Sequence, residues 1–187
     1  MSFKWKYKTP EQFDDLMMIS DGENLTALFF INSCYPYKVK EDLQIKNLPI
    51  FDNTCKWLDE YFSGSLPNFT PKIKINNLTK FRKKVSDIMA QIPYGKTITY
   101  SDIACKIARE TTINKMSSQA VGGAVGFNPI FLIIPCHRVV GKNGSLTGYG
   151  GGIKNKYYLL KHENNDMSKF FIPKMRTCLW KDASGVN

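Results

Sequence analysis

The first third of the chain has two short apolar runs separated by a polar turn. Leu16–Ser20 and Leu25–Ile31 are mainly apolar, and Asp21-Gly22-Glu23-Asn24 between them is typical of a β-hairpin. Asp52–Phe62 has helical spacing instead. Its apolar side consists of Trp57, Leu58, Tyr61 and Phe62. We therefore predict a small sheet with one helix, whose many aromatic residues form the core.

The pattern becomes helical after about residue 78. The stretch 63–71 is rich in Gly, Ser and Pro, which predicts a loop. We divide the chain into an N-terminal lobe (1–78), a C-terminal lobe (79–165) and a tail (166–187). Thr79 is predicted to cap a helix with a single apolar stripe. The stripe is formed by Phe81, Val85, Ile88, Met89 and Ile92.

Two shorter helices should follow. Thr99 or Ser101 can cap the first, and Ser117 or Ser118 can cap the second, which extends from Gln119 to about Gly126. Two short helices joined by a turn predict a helix-turn-helix unit. The second helix contains paired glycines, each costing about 1 kcal/mol relative to alanine. Close approach of another helix, or of a backbone such as a DNA strand, would compensate for that cost.

Composition narrows the classes of partner. The formal net charge is +10, which favours a polyanion through counterion release. No apolar segment approaches the roughly 20 residues needed to cross a bilayer. The start, Met1–Lys6, lacks the apolar core of a secretion signal. We expect a cytoplasmic protein with no membrane partner, and a monomer by default.

The cysteines indicate a nucleophile and no metal. There are five cysteines and two histidines, and no C-x-x-C pair, so neither a disulfide framework nor a zinc site is predicted. We predict no metal and no cofactor. Cys136 differs from the other cysteines because it ends an apolar run, Ile130–Ile134, and precedes His137. A nearby base lowers a thiol pKa, so we expect this sulfur to be ionised at rest.

Four residues form a candidate reaction centre. Cys136 is the nucleophile, His137 its base, Glu163 the partner of the base, and Asn128 a neighbour. Adjacent side chains usually diverge, so a water between Cys136 and His137 is one arrangement. Each residue also has an ordinary interpretation: a core thiol, a core histidine, a solvated glutamate at the end of a helix (Lys154–Glu163), and a turn asparagine. The residues by themselves leave both interpretations open.

Pro135-Cys136-His137-Arg138-Val139 closely resembles the signature of the O6-alkylguanine-DNA alkyltransferases. Other segments match that family in order and spacing: Ile92–Lys96, Thr99–Ala104, Ala120–Ala124, Asn128-Pro129 and Gly144–Gly152. The resemblance extends from Phe81 to Glu163. It is weaker in the first lobe, and the tail does not share it. Three aromatic residues of the tail nevertheless suggest that it docks on the body of the protein: Phe170, Phe171 and Trp180.

The resemblance implies an α/β fold with an N-terminal ribonuclease-H-like small-sheet lobe and a C-terminal winged helix-turn-helix lobe. It implies DNA repair by stoichiometric transfer of the alkyl group from O6-alkylguanine in double-stranded DNA to Cys136. The base must be flipped out, because a stacked base hides its reacting atom. It also implies that His137 deprotonates Cys136 through a water, Glu163 orients His137, and Asn128 braces the turn.

The same resemblance assigns the surroundings. Tyr100 would donate to N3 of guanine, the carbonyls of Cys136 and Val139 would accept from its exocyclic amine, Gly150 would donate to O6, and Tyr149 would line the pocket. The implied DNA contacts are Gln119, Ala120, Gly122, Gly123, Lys96, Lys142 and Arg138. Arg138 is equally compatible with a buried structural role. Gln119 stands where many members have arginine, so we expect weaker DNA affinity.

Two other functions remain as alternatives. A cysteine hydrolase using Cys136, His137 and Glu163 would turn over through a thioester. A non-catalytic DNA-binding protein would recognise damage without being alkylated, and Cys136 would then be structural.

Overall fold

The first lobe is a four-stranded sheet with one helix. The computed structural model describes residues 1–33, 43–111 and 116–173. The strands are β1 (Phe3–Tyr7), β2 (Leu16–Ser20), β3 (Leu25–Phe30) and β4 (Gln44–Ile45). Their order is β3-β2-β1-β4; β2 is antiparallel to both neighbours, and β4 is parallel to β1. The predicted hairpin is confirmed.

Helix α1 (Pro49–Phe62) covers this sheet. It begins three residues earlier than Asp52, because Pro49 fits the first turn, where no backbone N–H is needed. Alternate residues of β2 are buried, as expected for a strand with one face on a core. The predicted apolar side of α1 is buried except for Phe62, which is half-buried.

The second lobe is mainly helical, and its elements are α2 (Lys80–Ala90), β5 (Ile98–Thr99), α3 (Tyr100–Thr111), α4 (Ser118–Gly126), β6 (Val139–Val140) and α5 (Ile153–His162). Thr79 caps α2 and Ser117 caps α4, each accepting backbone N–H groups. At α3, Thr99 Oγ1 accepts from Asp102 N at 3.1 Å while Asp102 Oδ2 accepts from Thr99 N at 2.8 Å. This reciprocal pair is a capping box. The predicted helix-turn-helix, α3 and α4, is confirmed.

The lobes are joined beside β3. Leu28 N donates to Pro129 O, and Phe131 N donates to Leu28 O, both at 2.8 Å. Residues 129–131 therefore extend the sheet edge. The chain then turns sharply at Leu132, which has φ +64°, and Ile133 N donates to Phe131 O at 2.7 Å. Such a turn is strained for leucine. A 3₁₀ turn, Cys136–Arg138, follows it along the chain.

The start of the tail docks on the second lobe, as predicted for Phe170. Phe170 packs against an apolar cluster that includes Leu146 and Leu160. Phe171 exchanges backbone hydrogen bonds with Gly144 and Leu146, although its side chain is exposed. Trp180 lies outside the described residues. In the described part of the chain, no helix has the length and apolar character needed to cross a membrane.

Candidate active site

The sulfur of Cys136 is buried at the end of the segment that joins the lobes. Asn128 follows α4 and reaches this sulfur with its side-chain amide. Its Nδ2 lies 3.0 Å from Cys136 Sγ and 2.8 Å from Ile134 O, and its Oδ1 accepts from Ile130 N at 3.1 Å. Asn128 thus connects the end of α4, the strained turn and the thiol through one amide group.

His137 and Glu163 form a buried pair. His137 Nε2 lies 2.8 Å from Glu163 Oε1, and both side chains are fully buried. The carboxylate accepts, so the histidine proton belongs on Nε2 and the lone pair on Nδ1. Within the described residues Nδ1 has no hydrogen-bond partner. The imidazole of His137 and the thiol of Cys136 are therefore not directly hydrogen-bonded, and Nδ1 is free to accept a proton.

Glu163 is the hub of the site. It ends α5 as its C-cap and is buried, so its interpretation as a solvated residue is wrong. Arg138 donates to it from Nε and Nη2, at 2.9 and 2.8 Å. Tyr61 Oη donates at 2.8 Å and Gly95 N at 3.2 Å. Sequence reasoning missed Tyr61, because no local pattern shows a contact made across 102 residues.

Arg138 is a structural residue. Its side chain is buried, and Nη1 donates to Ile92 O. The prediction that Arg138 contacts DNA phosphate is wrong, because its guanidinium is committed to Glu163 and to this carbonyl. Its place inside the protein follows from the buried carboxylate, which needs a positive partner in a low-dielectric interior.

Burial dominates the protonation states. It raises the pKa of Cys136 to about 11, against the opposing effects of the Asn128 hydrogen bond and the Lys156 charge. The expectation of a thiolate at rest is thus wrong: the sulfur carries its proton at neutral pH. Burial also lowers the pKa of His137, although Glu163 opposes this shift. The resting pair is a thiol beside a neutral imidazole.

Glu163 remains ionised. Burial would raise its pKa, but the hydrogen bonds from His137 and Arg138 and the charge of Arg138 hold that pKa below the usual range. The site therefore has a fixed negative charge on the side of His137 that faces away from its free Nδ1. A charge in that position stabilises an imidazolium once His137 accepts a proton.

Lys156 is a further residue that sequence reasoning missed. It is fully buried in α5, and its Nζ donates to Val139 O at 2.6 Å and to Thr147 O at 2.9 Å. Burial lowers its pKa to about 7, and the nearby Cys136 opposes the shift. A signal was present in the sequence: Lys156 interrupts the apolar stripe of Ile153 and Leu160 at helical spacing.

An open cleft of about 510 Å³ lies between α3, α4 and the loop after β6. Its lining residues include Tyr100, Gln119, Gly122, Lys142 and Gly148. Tyr100 Oη donates to Thr147 O at 3.1 Å. Gly148 has φ +68°, and a Cβ there would lie 2.6 Å from the Tyr100 hydroxyl. Only glycine fits beside this hydroxyl.

The other predicted pocket groups are Tyr149, the carbonyls of Cys136 and Val139, and Gly150. Tyr149 is buried, and its ring lies 6.4 Å from that of His137. Its hydroxyl has no partner within the described residues. The carbonyl of Val139 accepts from Lys156, and that of Cys136 accepts from Val139 N, which leaves each with one lone pair. Gly150 is half-buried.

The predicted DNA contacts other than Arg138 are accessible. Gln119, Ala120, Gly123, Lys96 and Lys142 are exposed, and Gly122 is half-buried. A Cβ at Gly122 would make only ordinary contact with Tyr100, and one at Gly123 would meet open space. Packing inside the described chain does not explain this pair of glycines. Within the same residues, no group of three or more His, Cys, Asp or Glu side chains can hold a metal ion.

The fold and the site define a two-lobed helix-turn-helix protein with a buried cysteine, histidine and glutamate at its centre. Residues 6–75 match the family model "6-O-methylguanine DNA methyltransferase, ribonuclease-like domain". Residues 80–165 match the model of the DNA binding domain of the same proteins. The chain belongs to the 6-O-methylguanine DNA methyltransferase family, and the predicted family and fold class are confirmed.

Curated relatives and solved structures agree. The chain is 36% identical over 154 residues to a methylated-DNA–protein-cysteine methyltransferase of Haemophilus influenzae, covering 82% of this chain and 83% of the relative. It is 38% identical over 150 residues to that of Methanosarcina acetivorans, with coverages of 80% and 92%. The crystal structure of Mycobacterium tuberculosis O6-methylguanine methyltransferase aligns with a TM-score of 0.71 at 34% identity, covering 87% of this chain and 93% of that one. Its complex with DNA gives 0.71 at 31%, with coverages of 90% and 94%.

Proposed function

We propose that this protein repairs DNA by moving the alkyl group of O6-alkylguanine onto Cys136, once per molecule. The observation that carries this proposal is the arrangement of the thiol. Asn128 holds Cys136 Sγ at 3.0 Å, and the adjacent His137 is bonded to Glu163 through Nε2 and has Nδ1 free. A nucleophile, a base and an orienting carboxylate are thereby assembled.

The reaction follows from the protonation states. The Cys136 thiol gives its proton to His137 Nδ1 through a water, and Glu163 stabilises the imidazolium. The thiolate attacks the alkyl carbon; the S–C bond forms as the C–O6 bond breaks, and the electron pair leaves with guanine. A hydrogen bond from Tyr100 to N3 offsets the charge on the base. The thioether is stable, so the protein acts only once.

Recognition of the base uses the groups around the thiol. The carbonyls of Cys136 and Val139 accept from the exocyclic amine of the flipped guanine. Gly150 N donates to O6, and Tyr149 lines the pocket. The free lone pairs of both carbonyls and the position of Tyr149 beside His137 support this assignment.

DNA binds on the face formed by α4 and the cleft. Gln119, Ala120, Gly122 and Gly123 approach the duplex, and Lys96 and Lys142 contact phosphates. The open space at Gly123 and the net charge of +10 support this surface, since small residues permit close approach and cations bind the phosphate backbone. We place the lobe boundaries at 78 and 165, and the protein as a monomer in the cytoplasm.

Intact-mass spectrometry tests the function. The protein is incubated with a duplex containing O6-methylguanine, and Cys136→Ser serves as the matched control. We expect one added methyl group, located on Cys136, and exhaustion after one equivalent of DNA. Multiple turnovers would favour the hydrolase, and binding with no methylation would favour the non-catalytic alternative; either result contradicts the proposal.

A further inference from the structure

We propose that Tyr61 is a positioning residue for alkyl transfer, because its hydroxyl fixes the carboxylate of Glu163 that orients His137. Tyr61 belongs to α1 of the first lobe, which otherwise contributes no side chain to the reaction centre described above. The inference rests on the proposed function and assigns to the first lobe a direct part in it.

The Tyr61 hydroxyl contacts the same oxygen of Glu163 that His137 contacts. Tyr61 Oη lies 2.8 Å from Glu163 Oε1, and His137 Nε2 lies 2.8 Å from the same oxygen. Tyr61 and Glu163 are each about 1% exposed, so water does not compete for the hydrogen bond between them. The Tyr61 hydroxyl and the His137 ring therefore share one acceptor atom, to which Arg138 Nη2 also donates at 2.8 Å.

Tyr61 is itself held from several sides. Its ring stacks on Trp57, with centroids 5.5 Å apart, and meets Tyr94 edge-on at 6.1 Å. Its carbonyl lies 2.8 Å from His162 Nε2, one residue before Glu163. The side chain of Tyr61 thus contacts Glu163, and its main chain contacts the preceding residue, His162, at the end of α5. A donor fixed in this way acts with Arg138 and the Gly95 amide to hold the carboxylate in one orientation.

The hydroxyl also moderates the negative charge that His137 senses. Burial and the charge of Glu163 raise the pKa of Tyr61 well above its usual value, so it remains a donor. Without this donor, Oε1 would be a stronger acceptor and the imidazolium of His137 would be more stable. The charges of Glu163, Arg138 and Lys156 act on His137. The other titratable groups near it are Tyr149, whose ring meets the imidazole edge-on, the adjacent Cys136, and Tyr61, which reaches it through Glu163 Oε1.

The experiment compares Tyr61→Phe with Tyr94→Phe. Each change removes one hydroxyl and keeps a ring, but Tyr94 Oη donates to His162 O and not to Glu163. Single-turnover methyl transfer is measured from pH 5 to 9 after circular dichroism has verified the fold and DNA binding has been measured. The two histidines are isotope-labelled, and the imidazole of His137 is titrated by NMR.

For Tyr61→Phe we expect the transfer rate to fall about tenfold, the acid limb of its pH profile to move to higher pH, and the affinity for DNA to stay unchanged. The NMR pKa of His137 should rise. Tyr94→Phe should keep the profile of the unmodified protein. A fluorinated tyrosine at position 61, a stronger donor, should move the His137 pKa the opposite way, and it serves as the test if Tyr61→Phe fails to fold.

An unchanged rate and profile in Tyr61→Phe, or equal shifts in both variants, would overturn the inference. Failure of the proposed function gives a different result, because the unmodified protein would then not be methylated at all.

Discussion

At position 156 a fully buried lysine makes stability depend on pH. Burial lowers the pKa of Lys156 to about 7, whereas the unfolded chain keeps this proton up to roughly pH 10.4. Between these values the unfolded state binds more protons, so the free energy of unfolding rises with pH. We predict this rise between about pH 7 and pH 9 in urea denaturation, and a flatter profile for Lys156→Met.

The upper limit of that window is set by two thiols, Cys136 and Cys55. Their pKa values are raised from 9.0 to about 11, so the folded state keeps both protons longer and stability falls as pH rises through that range. Lys161→Met, an exposed change on the same helix, is the matched control and should keep the slope of the unmodified protein. Parallel slopes for Lys156→Met and Lys161→Met would show that Lys156 is not responsible.

Residues differ in how far the sequence reveals them. Cys136 and His137 are adjacent, so they stand out in the printed chain as a candidate nucleophile and base. Glu163 is a candidate partner of His137 from the residues alone, but its solvated interpretation stays open there, because nothing near it in sequence shows that Arg138 and Tyr61 will surround it. The thiol pKa was predicted in the wrong direction, since a neighbouring base is visible in the sequence and the extent of burial is not.

Among the elements, α4 is the one whose composition is least suited to its structure. Gly123 lies inside the helix, and a Cβ there would meet nothing within 4 Å. Gly123→Ala should therefore raise the free energy of unfolding by about 1 kcal/mol. It should also weaken binding to duplex DNA several-fold, because the added methyl group holds the backbone away from the strand. Denaturation and fluorescence anisotropy measure the two effects.

Gly126→Ala is the control for this prediction. A Cβ at Gly126 also meets open space, and the residue lies at the opposite end of α4 from Gln119. Its affinity for DNA should stay unchanged. Unchanged affinity in Gly123→Ala as well would show that α4 does not face the duplex.

The elements that sequence reasoning placed correctly have strong local signals. Thr79 and Ser117 cap their helices as predicted, and the polar turn after Ser20 fixes the hairpin. The two-residue strands β4, β5 and β6 have no such signal. They exist because tertiary contacts bring their backbones together, as in the pairing of Ile98 with Val139.

At the scale of the whole molecule, the lobes share their polar contacts as well as their core. Asn155 in α5 donates to Asp14 Oδ2 at 2.7 Å and accepts from Asp14 N at 3.1 Å. The bonds between Leu28 and residues 129–131, and the one between Tyr61 and Glu163, cross the same boundary. Neither lobe keeps its buried polar groups satisfied alone, which favours a single unfolding transition.

We therefore predict that both lobes lose hydrogen-exchange protection at one urea concentration. Mass spectrometry on peptides from β2–β3 and from α2–α3 measures this loss. Asn155→Ala should lower the free energy of unfolding by about 1–3 kcal/mol and shift both sets of peptides together. Asn165→Ala removes a bond within the second lobe, to Leu160 O, and should cost less. Suppose that the first-lobe peptides of Asn155→Ala lost protection at a lower urea concentration than the second-lobe peptides. The lobes would then be independent units, and the contact of Tyr61 with Glu163 would not couple them.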